Sequence, residues 1–170
     1  MNPQLEALFD EPEKRYLRPE ELNALSQYVS SLPERINLYR RLRSEEITLM
    51  QQVADTLQQQ MAGEPEDLLK RSLKNGLLAL RYVAMAMLTD DVDFVKKRME
   101  SWLPGIVEAY GTRAIDERLH QLIYEQLSGR FTPQQMALLS PSLVTARNLL
   151  APQEIGTEAD LTSETLVGLF

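Results

Sequence analysis

The sequence has no cysteine among its 170 residues and a single histidine, and these two scarcities exclude whole classes of chemistry. Without a thiol there are no disulfides, no thiolate metal sites, no cysteine nucleophile and no cofactor attached through sulfur. With one imidazole, Asp and Glu would have to dominate any protein metal site, and no serine, histidine and aspartate arrangement can be built beyond His120. Positive charge is short as well. Lys plus Arg number 18 against 25 for Asp plus Glu, a net charge of −7, which argues against a nucleic-acid binder because such proteins need a basic footprint. Anionic partners are disfavoured on the same ground. No apolar run approaches the roughly 18 to 20 residues of a membrane span, and the opening MNPQLEALFDEPEK lacks the basic start and apolar stretch of a signal peptide. The expectation is an intracellular chain with no membrane span.

Apolar residues make up 44% of the chain, enough for one core at a single-domain length. Seven glycines, few β-branched runs and no period-2 stretches leave little room for a sheet, while apolar residues recur at three and four almost everywhere. The spacing predicts a nearly all-helical domain over residues 1–150. Pro19 opens a short helix carrying Leu22, Leu25 and Val29, which the turn Ser30-Ser31-Leu32-Pro33 ends. From Glu34 to about Met61, Ile36, Tyr39, Leu42, Ile47, Met50, Val53 and Leu57 trace an apolar stripe, as one helix or two meeting near Ser44. After the break at Gly63-Glu64-Pro65, a segment from about Glu66 to Leu88 is apolar almost all round between Leu77 and Leu88, as a central buried helix would be. Thr89-Asp90-Asp91 reads as a cap and acids opening a helix over Phe94 to Tyr110, kinked at Pro104. Gly111 closes it, Thr112 caps the next through Leu127, and Thr132-Pro133 begins a last one that Ser140-Pro141 interrupts before Leu143 to Leu150.

Residues 151–170 differ in kind. Glu154, Glu158, Asp160 and Glu164 supply −4 of the −7, leaving the body at −3. An acidic, sparse segment of this kind reads as a flexible tail, with Leu166, Val167, Leu169 and Phe170 as apolar anchors should it dock instead.

Two stretches carry a family resemblance. Tyr16-Leu17-Arg18-Pro19-Glu20-Glu21-Leu22-Asn23-Ala24-Leu25 and, more specifically, Leu80-Arg81-Tyr82-Val83-Ala84-Met85-Ala86-Met87-Leu88-Thr89-Asp90-Asp91 resemble the phycobiliproteins, above all allophycocyanin-type β subunits. The similarity runs in spacing through Val107-Glu108-Ala109-Tyr110-Gly111 and fades beyond Gln126. It implies a globin-like helical bundle with an additional N-terminal helical pair that packs against a second subunit. It also implies a chromophore helix on which a cysteine forms a thioether to a linear tetrapyrrole, an arginine pairs with a propionate and an aspartate binds the pyrrole nitrogens. Those positions fall on Ser72, Lys74 and Asn75. A serine hydroxyl is almost wholly protonated at neutral pH and does not substitute for a thiolate in that addition. Lys74 lacks the bidentate fork of an arginine, and Asn75 lacks the charge that would hold a protonated tetrapyrrole.

The remaining groups have ordinary readings. His120 lies in a charged stretch and reads as a surface or half-buried residue rather than a haem ligand. Arg35, Arg40, Arg41 and Arg43 with Glu34, Glu45 and Glu46 read as a solvated face laced with i,i+3 and i,i+4 pairs. Met85, Met87, Met99 and Trp102 read as core filling. No constellation supports an enzyme. Tyr16, Leu17, Leu22, Leu25, Tyr28 and Val29 must bury an apolar face against something, a partner chain or their own body, with Arg81 and Tyr82 on the reciprocal side.

Taken with the resemblance, these residues suggest a non-enzymatic interaction protein without covalent bilin, serving phycobilisome or photosystem assembly or regulation in a cyanobacterium or plastid. Its partners would be another copy, a related phycobiliprotein-like chain, or phycobilisome or photosystem subunits, at the stromal or cytoplasmic face of thylakoids. The alternative is a sensor or carrier that binds a tetrapyrrole noncovalently beside the central helix, with Lys74 and Asn75 as polar contacts.

Overall fold

A computed structural model describes residues 3–10 and 16–151; the acidic tail falls outside them. The described residues form α1 (Pro3–Phe9), α2 (Pro19–Gln60), α3 (Glu66–Thr89), α4 (Asp93–Met99), α5 (Leu103–Tyr110), α6 (Arg113–Arg130) and α7 (Pro133–Asn148), with no strand among them. The all-α expectation holds. α3 is central and packs against α2, α4, α6 and α7.

α2 is one unbroken helix of 42 residues, about 63 Å long at 1.5 Å per residue. The short helix expected to end at Ser30-Ser31-Leu32-Pro33 and the division expected near Ser44 are absent. Pro19 takes the first turn, where a missing N–H is harmless, and the Glu21 carboxylate accepts the backbone N–H of Arg18 at 2.7 Å. Pro33 can donate nothing to the carbonyl of Val29, but Val29 is exposed and water replaces the donor. One turn later Arg35 ties the helix to the body, which outweighs the local penalty.

The inward stripe of α2 is Leu38, Leu42, Leu49, Val53 and Leu57, all almost completely buried. Ile36 and Ile47, expected on it, are 38% and 63% exposed. The sequence offers overlapping apolar stripes along a long helix, and packing against α3 and α6 selects the one containing Leu38 and Leu49. Met87 and Met99 are core residues and Trp102 packs against the core, in line with their reading as filling.

Two other boundaries differ from expectation. Asp90 closes α3 in the left-handed region at φ 54°, with the following N–H, that of Asp91, bonded to the Ala86 carbonyl at 2.9 Å, so these acids end one helix rather than open the next. The segment expected as one kinked helix over Phe94 to Tyr110 is two helices, α4 and α5. Pro104 denies a donor to the Glu100 carbonyl and crowds it, so the chain turns at Ser101 and Trp102 and restarts with Pro104 in the first turn of α5. At Pro141 the opposite happens: α7 runs straight through it, because the Ala137 carbonyl faces the exposed side and the Ser140 hydroxyl bonds back to Met136 O at 2.7 Å. Gly111 ends α5 at φ 62° as expected, and Thr132 with Gln135 forms a reciprocal cap on α7.

Polar ties fix α2 on α3. Arg35, only 9% exposed, donates to the Met87 carbonyl, to Asp90 Oδ1 at 2.8 Å and to Ser31 Oγ at 2.9 Å. Glu46, 5% exposed, is gripped by Arg43 at 2.6 Å and Arg81 at 2.9 Å. The expectation of a purely solvated charged face is therefore corrected at Arg35 and Glu46, while Arg41 and Glu45 keep the expected i,i+4 pair at 2.9 Å. Arg35→Ala leaves the Met87 carbonyl with only the long 3.4 Å bond from the Asp90 N–H and removes the ion pair to Asp90, which should cost about 2 kcal/mol, and Arg35→Lys should recover less than half of it because the fork is lost. Urea unfolding measures both; full stability in Arg35→Ala would show that the clamp holds nothing.

Candidate functional site

Helical geometry separates Ser72, Lys74 and Asn75, the three positions that the resemblance assigns to a chromophore site. Ser72 and Asn75 lie one turn apart on the face of α3 toward α6, and Lys74 projects to a different side. Ser72 has no exposed surface, Asn75 is half-buried and Lys74 is exposed. Lys74 lines a shallow cleft of about 230 Å³ between α2 and α3, with Ile47, Met50 and Leu77. The structure thus brings Ser72 and Asn75 together and leaves Lys74 elsewhere.

What faces Ser72 is a buried acid. Asp116, 2% exposed, accepts a hydrogen bond from Thr112 Oγ1 at 2.6 Å, and its backbone N–H bonds to the Thr112 carbonyl at 2.8 Å. Burial pushes the Asp116 carboxyl above its usual range, and the hydroxyls of Thr112 and Ser72 oppose that shift. Ser72 Oγ stands near the carboxylate without completing a hydrogen bond of normal geometry. One turn along, Gly76 meets α6 so closely that a Cβ would come within 2.7 Å of Leu119 Cδ2 and 3.2 Å of its Cγ, which closes the seam. Arg71 stacks over the Tyr110 ring at 3.7 Å and joins α3 to the end of α5. Asp116 and Arg71 were not singled out from sequence, Tyr110 was read only as part of a helix end, and Thr112, expected to cap α6, makes no side-chain cap bond and gives its hydroxyl to Asp116 instead. The i,i+4 spacing of Thr112 and Asp116 and the place of Arg71 beside Ser72 were the signals available.

The expected interface residues divide. Tyr16 is 99% exposed and Leu22 and Val29 are each 52% exposed, whereas Leu17, Leu25 and Tyr28 are half-buried, the last with its hydroxyl 3.5 Å from the Leu88 carbonyl. Arg81 is committed to Glu46, and Tyr82 meets the Phe94 ring edge-on at 6.0 Å between centroids. Both thus have partners within the chain, and Arg81 remains exposed beside Glu46.

His120 is half-buried. It lines a cleft of about 300 Å³ between α6 and α7 with Tyr124, Ser140, Leu143, Val144 and Arg147. Burial first, and the Arg147 charge second, push its imidazole down to about 4, so it is neutral at pH 7. No cluster of three or more metal-ligating side chains occurs among the described residues.

A family model for phycobilisome proteins matches residues 9–114, from the end of α1 to the start of α6. The chain belongs to the phycobilisome protein family. Comparison with curated proteins finds no match. The all-helical bundle is the globin-like architecture of that family. Its members harvest light rather than catalyse reactions, oligomerise and assemble into phycobilisomes at the thylakoid surface. This member has no cysteine, so it has no thioether attachment point for a bilin. No helix among its described residues is long and apolar enough to cross a membrane.

Asp116 and His120 act in opposite directions with pH. His120 has a folded pKa near 4 below an ordinary 6.5, so the stability present above 6.5 is lost as pH falls toward 4. Between pH 7 and 4 the wild type should lose on the order of 3 kcal/mol more than His120→Phe in urea unfolding, and equal losses would refute it. Asp116 is raised above 3.8, so its stabilising neutral form is complete below that value and lost as pH rises through the folded pKa. Asp116→Asn keeps an acceptor for Thr112 and should match or exceed wild-type stability at pH 7, with the advantage shrinking by pH 4. A variant weaker by more than about 1 kcal/mol at pH 7 would mean the carboxylate is a net stabiliser.

Proposed function

We propose that the chain is a non-enzymatic, phycobiliprotein-like interaction protein without covalent bilin, acting in the assembly or regulation of phycobilisomes or photosystems. The observation that carries this reading is the outer face of α2. Leu22, Val29 and Ile36, seven residues apart, are 52%, 52% and 38% exposed. A seven-residue repeat keeps side chains in line on one face of a helix, and an apolar line in water favours a protein partner. Arg35, Leu38 and Leu42 anchor the same helix in the body, so the face is held by a rigid element and not a loop. The partner is a second copy, a related chain of the family, or an antenna or photosystem subunit at the stromal or cytoplasmic face of thylakoids.

The closed chromophore seam supports the same reading from the other side. Ser72 has no surface, and the space beside it is occupied by the Asp116 and Thr112 pair. A noncovalent tetrapyrrole carrier has less support, because Lys74 opens toward α2 while Asn75 faces the α6 side.

The test is capture from a lysate of the native host, with the retained proteins identified by mass spectrometry. The wild-type chain should be colourless and retain antenna or photosystem subunits. Leu22→Glu with Val29→Glu should weaken that retention at least tenfold, about 1.4 kcal/mol. Retention of neither kind of subunit, or unchanged retention by the double variant, counts against the proposal. A visible absorbance band appearing on titration with biliverdin or phycocyanobilin would favour the carrier instead.

A further inference from the structure

We infer that the cleft between α6 and α7 is a binding site for a small organic carboxylate with a flat apolar body. The cleft is separate from the α2 face and from the Ser72 seam, so the inference goes beyond the function proposed above. It rests on three features that converge on one space.

The first is size and lining. The cleft holds about 300 Å³, within the range of small-molecule sites, and its walls are Leu143, Val144 and Tyr124. Val144 and Tyr124 are 56% and 48% exposed, so the apolar wall is open to an incoming ligand. A second cleft of about 400 Å³ shares Tyr124 and Ser140 and continues toward Phe131 and Met136.

The second is an uncompensated cation. Arg35, Arg41, Arg43, Arg81, Arg118 and Arg130 each lie within 4 Å of a carboxylate. Arg147, like Arg40, Arg71, Arg98 and Arg113, has no such partner among the described residues, and of these five it is the one that lines this cleft. Its guanidinium is the one charged group on the cleft lining, since His120 is neutral at pH 7 and the other lining residues carry no charge. A planar fork beside an apolar wall matches a carboxylate joined to a ring.

The third is His120 itself. The imidazole is packed between the helices, faces the cleft and makes no hydrogen bond with the described residues. Its ring nitrogens are not sealed from solvent, so in a filled site they can exchange water for ligand oxygens. Its N–H can donate to one carboxylate oxygen while Arg147 takes the other, leaving the ring of the ligand on Leu143 and Val144.

The probe is 2-naphthoate titrated into the isotopically labelled full chain, read by amide chemical shifts. The expected result is saturable one-to-one binding with shifts concentrated on α6 and α7. The uncharged 2-naphthamide should bind at least tenfold more weakly, and Arg147→Ala should lose at least tenfold in affinity for 2-naphthoate; Arg147 is exposed, so that variant keeps the fold. Val144→Trp, which fills the cleft from an exposed position, should abolish the shifts while circular dichroism stays helical. Absent or unsaturable shifts, equal affinity for the amide, or an unchanged Arg147→Ala would each overturn the inference. Because none of these measurements involves α2, their failure leaves the proposed function to be judged on its own test.

Discussion

The central helix can be buried on nearly every side only if its C-terminal carbonyls are satisfied, and Arg35 completes what the N–H groups of Asp90 and Asp91 and the Thr89 hydroxyl begin on the carbonyls of Met87, Ala86 and Met85. A helix end leaves its last carbonyls without partners, and at α3 these sit among packed helices and not in water. Arg35 reaches from α2 to the Met87 carbonyl, and it neutralises Asp90, the residue that turns the chain out of α3 in the left-handed region. Asp is one of the few residues apart from glycine that occupies that region readily, and its carboxylate there is useful only because a guanidinium is waiting. The same contact explains why α2 survives Pro33. The penalty for a missing backbone bond falls on a solvent-facing carbonyl, while the next turn is fastened to the end of α3 at two points, Met87 and Asp90.

That fastening gives α2 two roles along one axis. Its C-terminal two-thirds is core, with Leu38, Leu42, Leu49, Val53 and Leu57 against the body. Its N-terminal third carries the exposed line of Leu22, Val29 and Ile36. A continuous helix couples the two mechanically, so a partner gripping the outer face meets a surface as rigid as the core. Two helices joined at a flexible turn would present the same residues at a larger entropic cost on binding.

How far the sequence could be read depended on whether one competing pattern dominated. α3 was legible from apolar residues all round its second half, and the breaks at Gly63-Glu64-Pro65 and Gly111 were legible because glycine and proline leave few alternatives there. Pro33, Pro104 and Pro141 look alike in sequence and behave differently. Only Pro104 divides the segment expected to run through it; at Pro33 and Pro141 the deprived carbonyl lies on the wet side, a distinction that requires knowing which face is buried. Ile47 and Leu49 are both apolar, and nothing local says which one turns inward. Ser72, Lys74 and Asn75 were singled out only through the resemblance, and the partners that fill the space around Ser72, Thr112 and Asp116, come from the start of α6, some forty residues away. Long-range neighbours of that kind have no short-range signature.

The seam between α3 and α6 is closed at the position where the resemblance places a pigment anchor. A position that anchors a pigment must keep a slot open beside the anchor, and an open slot in a small bundle leaves its lining without contacts. With no cysteine to justify the slot, the packing around Ser72 and Gly76 draws α3 onto α6, and Asp116 is enclosed with Thr112 as its hydrogen-bonding partner. The closed seam then stiffens the body against which α2 is clamped. Open volume in this protein lies elsewhere, chiefly along the α6 and α7 groove, where His120 and Arg147 stand without partners among the described residues. Unpartnered groups therefore stand on both sides of α6: Arg71 Nε and Ser72 Oγ toward α3, and His120 and Arg147 in the α7 groove.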